Sequence, residues 1–560
     1  MTHIDYQKVL RYHDRTKHHP HQYARSLGYM DWANQPDPFR HFSGAVTTSL
    51  PLSHVDDTPP YARLFEPDRV DPAPLTLASV SLFFEHSLAI SAWKKQGLST
   101  WPLRCNPSSG NLHPTECYAA LPAIEDLHDR AALYHYEAYR HLLERRLDLP
   151  ADVWNALLAP TLAHQPWAFL IGLTSIAWRE SWKYGERSFR YLHLNAGHAL
   201  ACLRFAATAL GWRVTVLAEP GNADAAALLG TDRDSDFPDH EQEDAAFIAT
   251  VTPAGPVDYK MTPALDLEKL GAVSGLPTSS TASQLSKHHE DWSIVAEITH
   301  ATSKPRTVAA SRLPSPPPDR PVRGLPPPMG SHTARHVILG RRSAVAYDRK
   351  TSIPSDTLWR MLTLLMPTGL TPPWDPNDWA LSVHLCLFAH RIDGLAPGLY
   401  ALGRSPESIG RLRSAMRSDF RWSHPPGCPD YLPFFLLEKG NLQNLSAHLS
   451  LGQEIAGDGA FSLAMLADFE GPLRQAGPWM YRRIHWEAGM IGQLLYLEAE
   501  ANGIRGTGIG AYFDDVVHKQ LGISDHAFQA LYQFTVGRPV EDPRLTTLPP
   551  YPPPGTIPEL

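Results

Sequence analysis

Residues 189–200 read FRYLHLNAGHAL, and residues 481–492 read YRRIHWEAGMIG. Aromatic, Arg, two variable positions, His, two variable positions, Ala and Gly coincide without a gap. Both stretches continue as helical patterns that end in glycine, at Gly211 and Gly503. In the first copy Leu192, Ala196, Leu200, Leu203, Ala207 and Leu210 recur at the helical period. The terminal glycine suits a left-handed cap. Each copy carries an Ala-Gly pair, Ala196-Gly197 and Ala488-Gly489, small enough for a second backbone to come close. The plainer reading is an ordinary buried helix in each half. The sharper one, taken here, is two fused copies whose long helices meet in a central pseudo-twofold contact.

The flanks repeat in the same order. Before each helix lies an apolar strand candidate, residues 166–175 (PWAFLIGLTS) and 459–468 (GAFSLAMLAD). After it come residues 227–232 (ALLGTD) or 520–525 (QLGISD), then a last strand, AAFIATVTP or YQFTVGRP. Residues 132–146 (ALYHYEAYRHLLERR) resemble residues 398–412 (GLYALGRSPESIGRL), and each reads as a strand leading into a helix. Helices alternate with strands in both halves, which predicts an α+β fold in tandem. The 52 prolines are unevenly spread; residues 303–332 are Pro-rich and poor in large apolar residues, so they read as an extended linker. The expected organisation is an N-terminal extension over 1–70, a first unit over 71–275, a Pro-rich linker over 276–332, a second unit over 333–545, and a Pro-rich tail over 546–560.

Composition narrows the function. A chain of 560 residues, 43% hydrophobic and 19% charged, has ample length for large cores, and a net charge of −8 asks for neither nucleic acid nor an anionic membrane. No apolar run reaches the ~18 residues of a membrane span. The five cysteines are scattered and lack metal or disulfide-framework spacing, so a reducing cytoplasm is expected, with no metal. The polar start argues against a secretory signal. His13, His18, His19 and His21 are irregularly spaced and read as a solvated segment.

Three short motifs carry candidate chemistry. Residues 104–116, RCNPSSGNLHPTE, follow a helix-like run and precede an apolar strand-like one. Small polar residues there serve either a tight turn or a pocket wall able to hydrogen-bond a flat, polar-edged ligand. Pro107, Ser108, Ser109 and Asn111 are the candidates, and Gly110 lets the backbone pass close. Arg341 and Arg342 offer rigid donor forks that suit a phosphate, with the Ser343 hydroxyl beside them; a charged helix start is the plainer alternative. Residues 503–510, GIRGTGIG, follow a helix and open none, so they fail the context of a dinucleotide fingerprint and read as a flexible loop.

On these motifs the C-terminal half resembles the nitroreductase family of FMN flavoproteins, through LGRRSAVAYD, the repeated helix, and GTGIGAYFDD with LGI and VGRP. The N-terminal half is similar to the SagB/ThcOx-type dehydrogenase branch, through YHDRTKHH, DWANQPDPFRHF, PSSGNLHPTECY and WKYGERSFRYLHLNAGH. The resemblance implies an FMN held between two subunits, here two halves of one chain. Arg341-Arg342-Ser343 and the Gly508, Ile509, Gly510 and Ala511 run stand only in the second half, and Pro107 to Asn111 only in the first. These pieces sum to one composite site; the other site has lost its pieces on both sides. The resemblance implies that the run's backbone N–H groups tune the flavin ring. Arg538 and Arg544 are weaker phosphate candidates.

Lys183-Tyr184, in the KYGER context, matches the pair implicated in catalysis in azoline-oxidising members. Lysine suits proton abstraction when a pocket desolvates it, and tyrosine can orient it or relay the proton. The expected function is a two-electron oxidation, of an azoline in a modified peptide or of a small natural product, with a biosynthetic partner enzyme and a monomeric or dimeric state. Two alternatives stay open: an NAD(P)H-dependent nitro or quinone reductase, and a flavin-binding scaffold without catalysis.

Overall fold

The computed structural model describes residues 3–66, 70–237, 241–255, 264–278, 280–307, 325–367, 371–374 and 379–553. Parts of the expected linker (308–324), of residues 66–76 and 371–381, and of the tail (554–560) lie outside them. The N-terminal half carries strands β1 (Val46–Ser49), β2 (Ile90–Gln96), β3 (Ser99–Arg104), β4 (Thr115–Leu121), β5 (Ala132–Glu137), β6 (Leu142–Asp148), β7 (Phe169–Ser175), β8 (Trp212–Val216) and β9 (Asp244–Pro253). The C-terminal half carries β10 (Val383–Ala389), β11 (Gly398–Leu402), β12 (Phe434–Lys439), β13 (Phe461–Asp468), β14 (Arg505–Ile509), β15 (Phe528–Gly537) and β16 (Thr546–Leu548). Six helices position the site: α1 (His3–Arg15), α2 (Ala177–Tyr184), α3 (Ser188–Ala209), α4 (Ala334–Gly340), α5 (Met480–Ala501) and α6 (Asp514–Leu521).

The first sheet runs β1-β6-β5-β4-β7-β9-β8, and the second β12-β11-β10-β13-β15-β14. With the edge strand β1 set aside, the two orders match position by position. The fold is therefore α+β in tandem, two copies of one unit with a shared internal twofold. Its centre lies between α3 and α5, each 22 residues long and buried along almost its whole length. A Cβ on Gly197 would stand 2.1 Å from the Trp486 carbonyl oxygen, and one on Gly489 would stand 2.2 Å from that of Leu194. The Ala-Gly pairs are thus the point of closest backbone approach, as the repeat predicted.

Several expectations are corrected. Residues 104–116 follow β3, not a helix, because Ser99 to Arg104 pair with β2. Residues 132–146 form the β5–β6 hairpin, not a strand entering a helix; His141 takes a positive φ of 54° at the turn. Only the second copy, β11, runs on into a helix, Pro406–Ala415. The glycine run at 505–509 is strand β14, laddered to β15 from Arg505 to Ile509, and not a flexible loop. Of the early histidines, His21 is exposed and His18 and His19 are half-buried, but His13 is not solvated: it is fully buried in α1, with Nδ1 3.1 Å from Tyr481 Oη and Nε2 3.0 Å from Gln529 Oε1. The interval 276–332 also holds a helix, Ser293–Ala301, whose Glu297 pairs with Arg11 of α1. The tail adds β16 to β2 in a small sheet β16-β2-β3, so the second half's last strand completes a sheet of the first.

All five cysteines are buried and free. Among the described residues no helix is long and apolar enough to cross a membrane.

Candidate functional site

The loop between β3 and β4 is built around left-handed backbone. Gly110 (φ 62°), Asn111 (φ 59°) and His113 (φ 50°) all lie there, where glycine is free and Asn tolerated. Asn111 Nδ2 donates to the Pro102 carbonyl (2.9 Å), and the His113 N–H donates to Ser108 Oγ (3.0 Å). Arg179 donates to the His113 carbonyl from below (2.8 Å). Ser109 donates through its N–H (2.9 Å) and its hydroxyl (3.2 Å) to Asn195 Oδ1 on α3. Asn195 Nδ2 in turn donates to Glu180 Oε1 (2.6 Å). Pro107, Ser108, Ser109 and Asn111 are half-buried, so the loop is a fixed wall with one face open.

Lys183 and Tyr184 end α2, directly against that wall. A Cβ on Gly110 would stand 2.7 Å from Tyr184 Oη and 3.2 Å from Lys183 Cδ. The Tyr184 ring lies 4.5 Å from Tyr191 of α3, and Lys183 Nζ stands 5.5 Å from the Tyr184 ring centre. Burial pushes the Tyr184 phenol well above its ordinary value, and the nearby Glu180 adds to it. Burial likewise raises the Glu180 acid well above the carboxylate range, against the opposing effects of Asn195 and Lys183.

The C-terminal half closes the other side. A Cβ on Gly510 would stand 2.3 Å from the Tyr191 ring, and Ala511 accepts from Gln453 Nε2 (3.0 Å). The Gly508 N–H donates to Tyr496 Oη (2.9 Å), which also contacts Ser343 Oγ (3.0 Å). Ile509, between them, is buried. Arg341 follows α4 and crosses to the first half: its Nη2 donates to the Arg104 carbonyl (2.9 Å), and its guanidinium lies 5.1 Å from the Tyr496 ring. Arg342 reaches Ser91 of β2 and is lowered to about 10 by burial and by Arg341 beside it. Contacts thus run in a circuit from Arg104 through Arg341, Tyr496, Gly508, Gly510, Tyr191 and Tyr184 to Gly110. Arg538 stays outside it, exposed, with its Nη1 on the Gly503 carbonyl (3.1 Å). Arg544 is exposed and paired with Asp542 (2.7 Å), and no contact links it to the circuit among the described residues.

Arg187 and Arg190 pin this seam. Both pair with Asp514 at the start of α6, at 3.0 and 2.7 Å, and Arg187 Nη2 donates to the Gly510 carbonyl (3.2 Å). Sequence reading singled out none of Glu180, Tyr191, Asn195, Tyr496 or Asp514. The repeat held a signal for two of them: at the helix offset Asn195 faces Glu487 and Tyr496 faces Arg204, places where the copies differ in kind.

The twofold-related location is filled. Arg483, opposite Tyr191 in the repeat, stands 5.0 Å from Trp379, 5.5 Å from Trp479 and 4.3 Å from Trp486, and all four are buried. Arg204 donates to the Pro373 carbonyl (2.7 Å), where its counterpart Tyr496 serves Gly508. Glu487 takes the N–H groups of Ser382 and Val383 and pairs with Arg404.

Like its mirror, where Arg204 Nε, Arg404 Nη2 and Arg483 Nη1 lack a hydrogen bond, the composite side is polar and partly unsatisfied. Arg104 Nε, Asn106 Oδ1, Glu180 Oε2 and Arg341 Nε are buried there without a hydrogen-bond partner. Neither Arg341 nor Arg342 forms an ion pair with a carboxylate among the described residues. Two adjacent guanidiniums that share only Glu500 as a nearby carboxylate, a hydroxyl-bearing wall and a glycine strand fit a flat ligand with a phosphate, as FMN is.

The nitroreductase family model matches residues 71–238 and 426–538, half of the chain. A solved structure from Anabaena variabilis, described as a nitroreductase, superposes with a TM-score of 0.66 at 22% identity; the match covers 95% of this chain and 99% of that one. Smaller overlaps are found with the E. coli microcin synthetase McbBCD complex bound to truncated pro-MccB17 (TM-score 0.27, 19% identity, 36% of this chain and 69% of that one) and with a Ralstonia eutropha protein described as a nitroreductase (0.26, 16%, 42% and 100%). A search of curated proteins returned no significant match.

Proposed function

Because the chain belongs to the nitroreductase family and is an oxidoreductase of that family, we propose that it holds one FMN per chain in the composite site and acts as a dehydrogenase of the SagB/ThcOx type. The observation that carries this reading is the seating of Gly110 against Tyr184 Oη and Lys183 Cδ, which joins the flavin-wall loop to the candidate catalytic pair. Bound FMN supplies a two-electron acceptor. Arg341 and Arg342 would take its phosphate, and Ser108, Ser109 and Asn111 its polar ring edge. Gly508 to Ala511 leave backbone room beside the ring. Arg538 is kept as a peripheral contributor and Arg544 as a weaker one. Lys183 takes the substrate proton at Nζ, with Tyr184 Oη orienting it, and Tyr191 keeps water from the pair.

The substrate class proposed is an azoline in a modified peptide or a small natural product with an oxidisable C–C or C–N unit, handled with a biosynthetic partner enzyme in the cytoplasm. Flavin quantitation on the reconstituted protein is expected to give one FMN per chain; two per chain, or none, refutes the composite site. Lys183→Ala is expected to keep FMN bound and to lower turnover about a hundredfold or more. Rapid bleaching by NADPH or NADH under anaerobic conditions would favour a reductase instead.

A further inference from the structure

Four large aromatic side chains are strongly exposed among the described residues, and three of them, Tyr23 (59%), Tyr29 (67%) and Trp32 (67%), fall within ten positions of the N-terminal extension. That segment is strung between the two sides that build the composite site. On the C-terminal side the His18 N–H donates to Asp514 Oδ2 (2.9 Å), and the Tyr23 ring lies over Phe513 at 6.3 Å and 27°. Phe513 is three residues beyond Gly510 and is itself buried. On the N-terminal side the Glu186 N–H donates to the Arg25 carbonyl (3.0 Å). Gly185, directly after Tyr184, leaves only 2.4 Å between a Cβ and that same carbonyl oxygen. His18 also orders the turn from within, since Ala24 donates to its Nδ1 (3.0 Å).

We propose that residues 18–26 form the outer wall of the composite site and that Tyr23 stacks on a planar, unsaturated ring of the substrate. The proposal rests on the site assigned above and adds to it the shape of what enters. The Tyr23 ring is braced by the buried Phe513 ring and by the His18 ring, which stands perpendicular to it at 5.6 Å, and with 59% of the residue exposed it still presents an open face. Offset stacking of a flat ring is the contact such a face offers. Tyr23 is anchored on the element that follows the glycine strand, while Arg25 is anchored beside Lys183-Tyr184. The open ring is therefore held at the junction of flavin wall and catalytic pair.

The test titrates 2-naphthol, a planar probe, into FMN-loaded wild type, Tyr23→Phe, Tyr23→Ala and the distant control Tyr431→Ala, reading the flavin absorbance. The expected result is about tenfold weaker 2-naphthol binding in Tyr23→Ala, with Tyr23→Phe and Tyr431→Ala close to wild type and FMN affinity unchanged throughout. Equal 2-naphthol affinity in Tyr23→Ala and wild type overturns the proposal, as does a wild type that does not bind the probe. If the protein takes up no FMN, the function proposed above falls. The same titration on the apo-protein, read by tryptophan fluorescence, then decides the wall separately: loss of binding in Tyr23→Ala upholds it and no loss removes it.

Discussion

Glu180 has no solvent exposure, one hydrogen bond from Asn195, and an Oε2 with no partner. Burial raises its acid well above the carboxylate range, so the fold favours its protonated form. In an unfolded chain the same group ionises near about 4.3. Above that pH folding must bind a proton, so Glu180 costs stability progressively as pH rises. Glutamine keeps the acceptor for Asn195 and has no proton to bind. Glu180→Gln is therefore expected to melt higher than wild type, by a margin that grows from about pH 5 to about pH 8, as scanning calorimetry would show. A margin that stays flat with pH means that Glu180 is ionised in the fold. The neighbouring guanidiniums pose the opposite problem. Arg341 and Arg342 form no close ion pair among the described residues; Glu500 is the carboxylate near both, and it accepts the Arg342 backbone N–H.

At the level of elements, much of the architecture was legible. Leu192, Ala196 and Leu200 gave the helix its period, and the Ala-Gly pairs marked where it meets its copy. Gly489 is expected to tolerate no side chain. Gly489→Ala puts a methyl into the Leu194 carbonyl and should cost about 1–3 kcal/mol or more, measured by urea unfolding. Loss of less than about 0.5 kcal/mol would mean that the two helices can slide apart freely. Other elements misled for physical reasons. The glycines of β14 read as a loop because glycine is poor in strands. They are kept there by close contacts: a Cβ on Gly506 would meet Phe534 at 2.6 Å, and one on Gly508 would meet Tyr532 Oη at 1.8 Å. Residues 132–146 read as a strand entering a helix through their likeness to 398–412, yet residues 142–148 turn back as the second arm of a hairpin and also pair with the distant β1. The site motifs stood out in sequence because they are unlike one another. The groups that orient them, Asn195, Tyr496 and Glu180, sit inside helices where nothing local sets them apart.

Across the whole molecule the two halves are joined by charge as well as by packing. Asp514 of the second half lies buried between Arg187 and Arg190 of the first. Burial alone would raise its carboxyl, but the two guanidiniums and the His18 N–H hold it down at about 2. A depressed carboxylate adds stability above its unfolded value of about 3.9 and loses that contribution as pH falls toward about 2. Asp514→Asn leaves two buried cations unanswered and should cost about 3–5 kcal/mol at neutral pH, while flattening the acid limb of stability between about pH 4 and about pH 2. Unchanged acid sensitivity in the variant would place that limb elsewhere. The duplication has thus been used asymmetrically: one seam carries glycine and half-buried hydroxyls, and in its mirror three tryptophans surround Arg483.

The strand Thr546–Leu548 pairs with Ile90–Gln96, and Tyr551 Oη donates to the Ala138 carbonyl while accepting from the Ile90 N–H. During translation, residues 90–104 leave the ribosome long before their final neighbours exist. The small sheet that borders Arg342 therefore stays one strand short until residues 546–548 have been made, more than four hundred positions after the strand they complete.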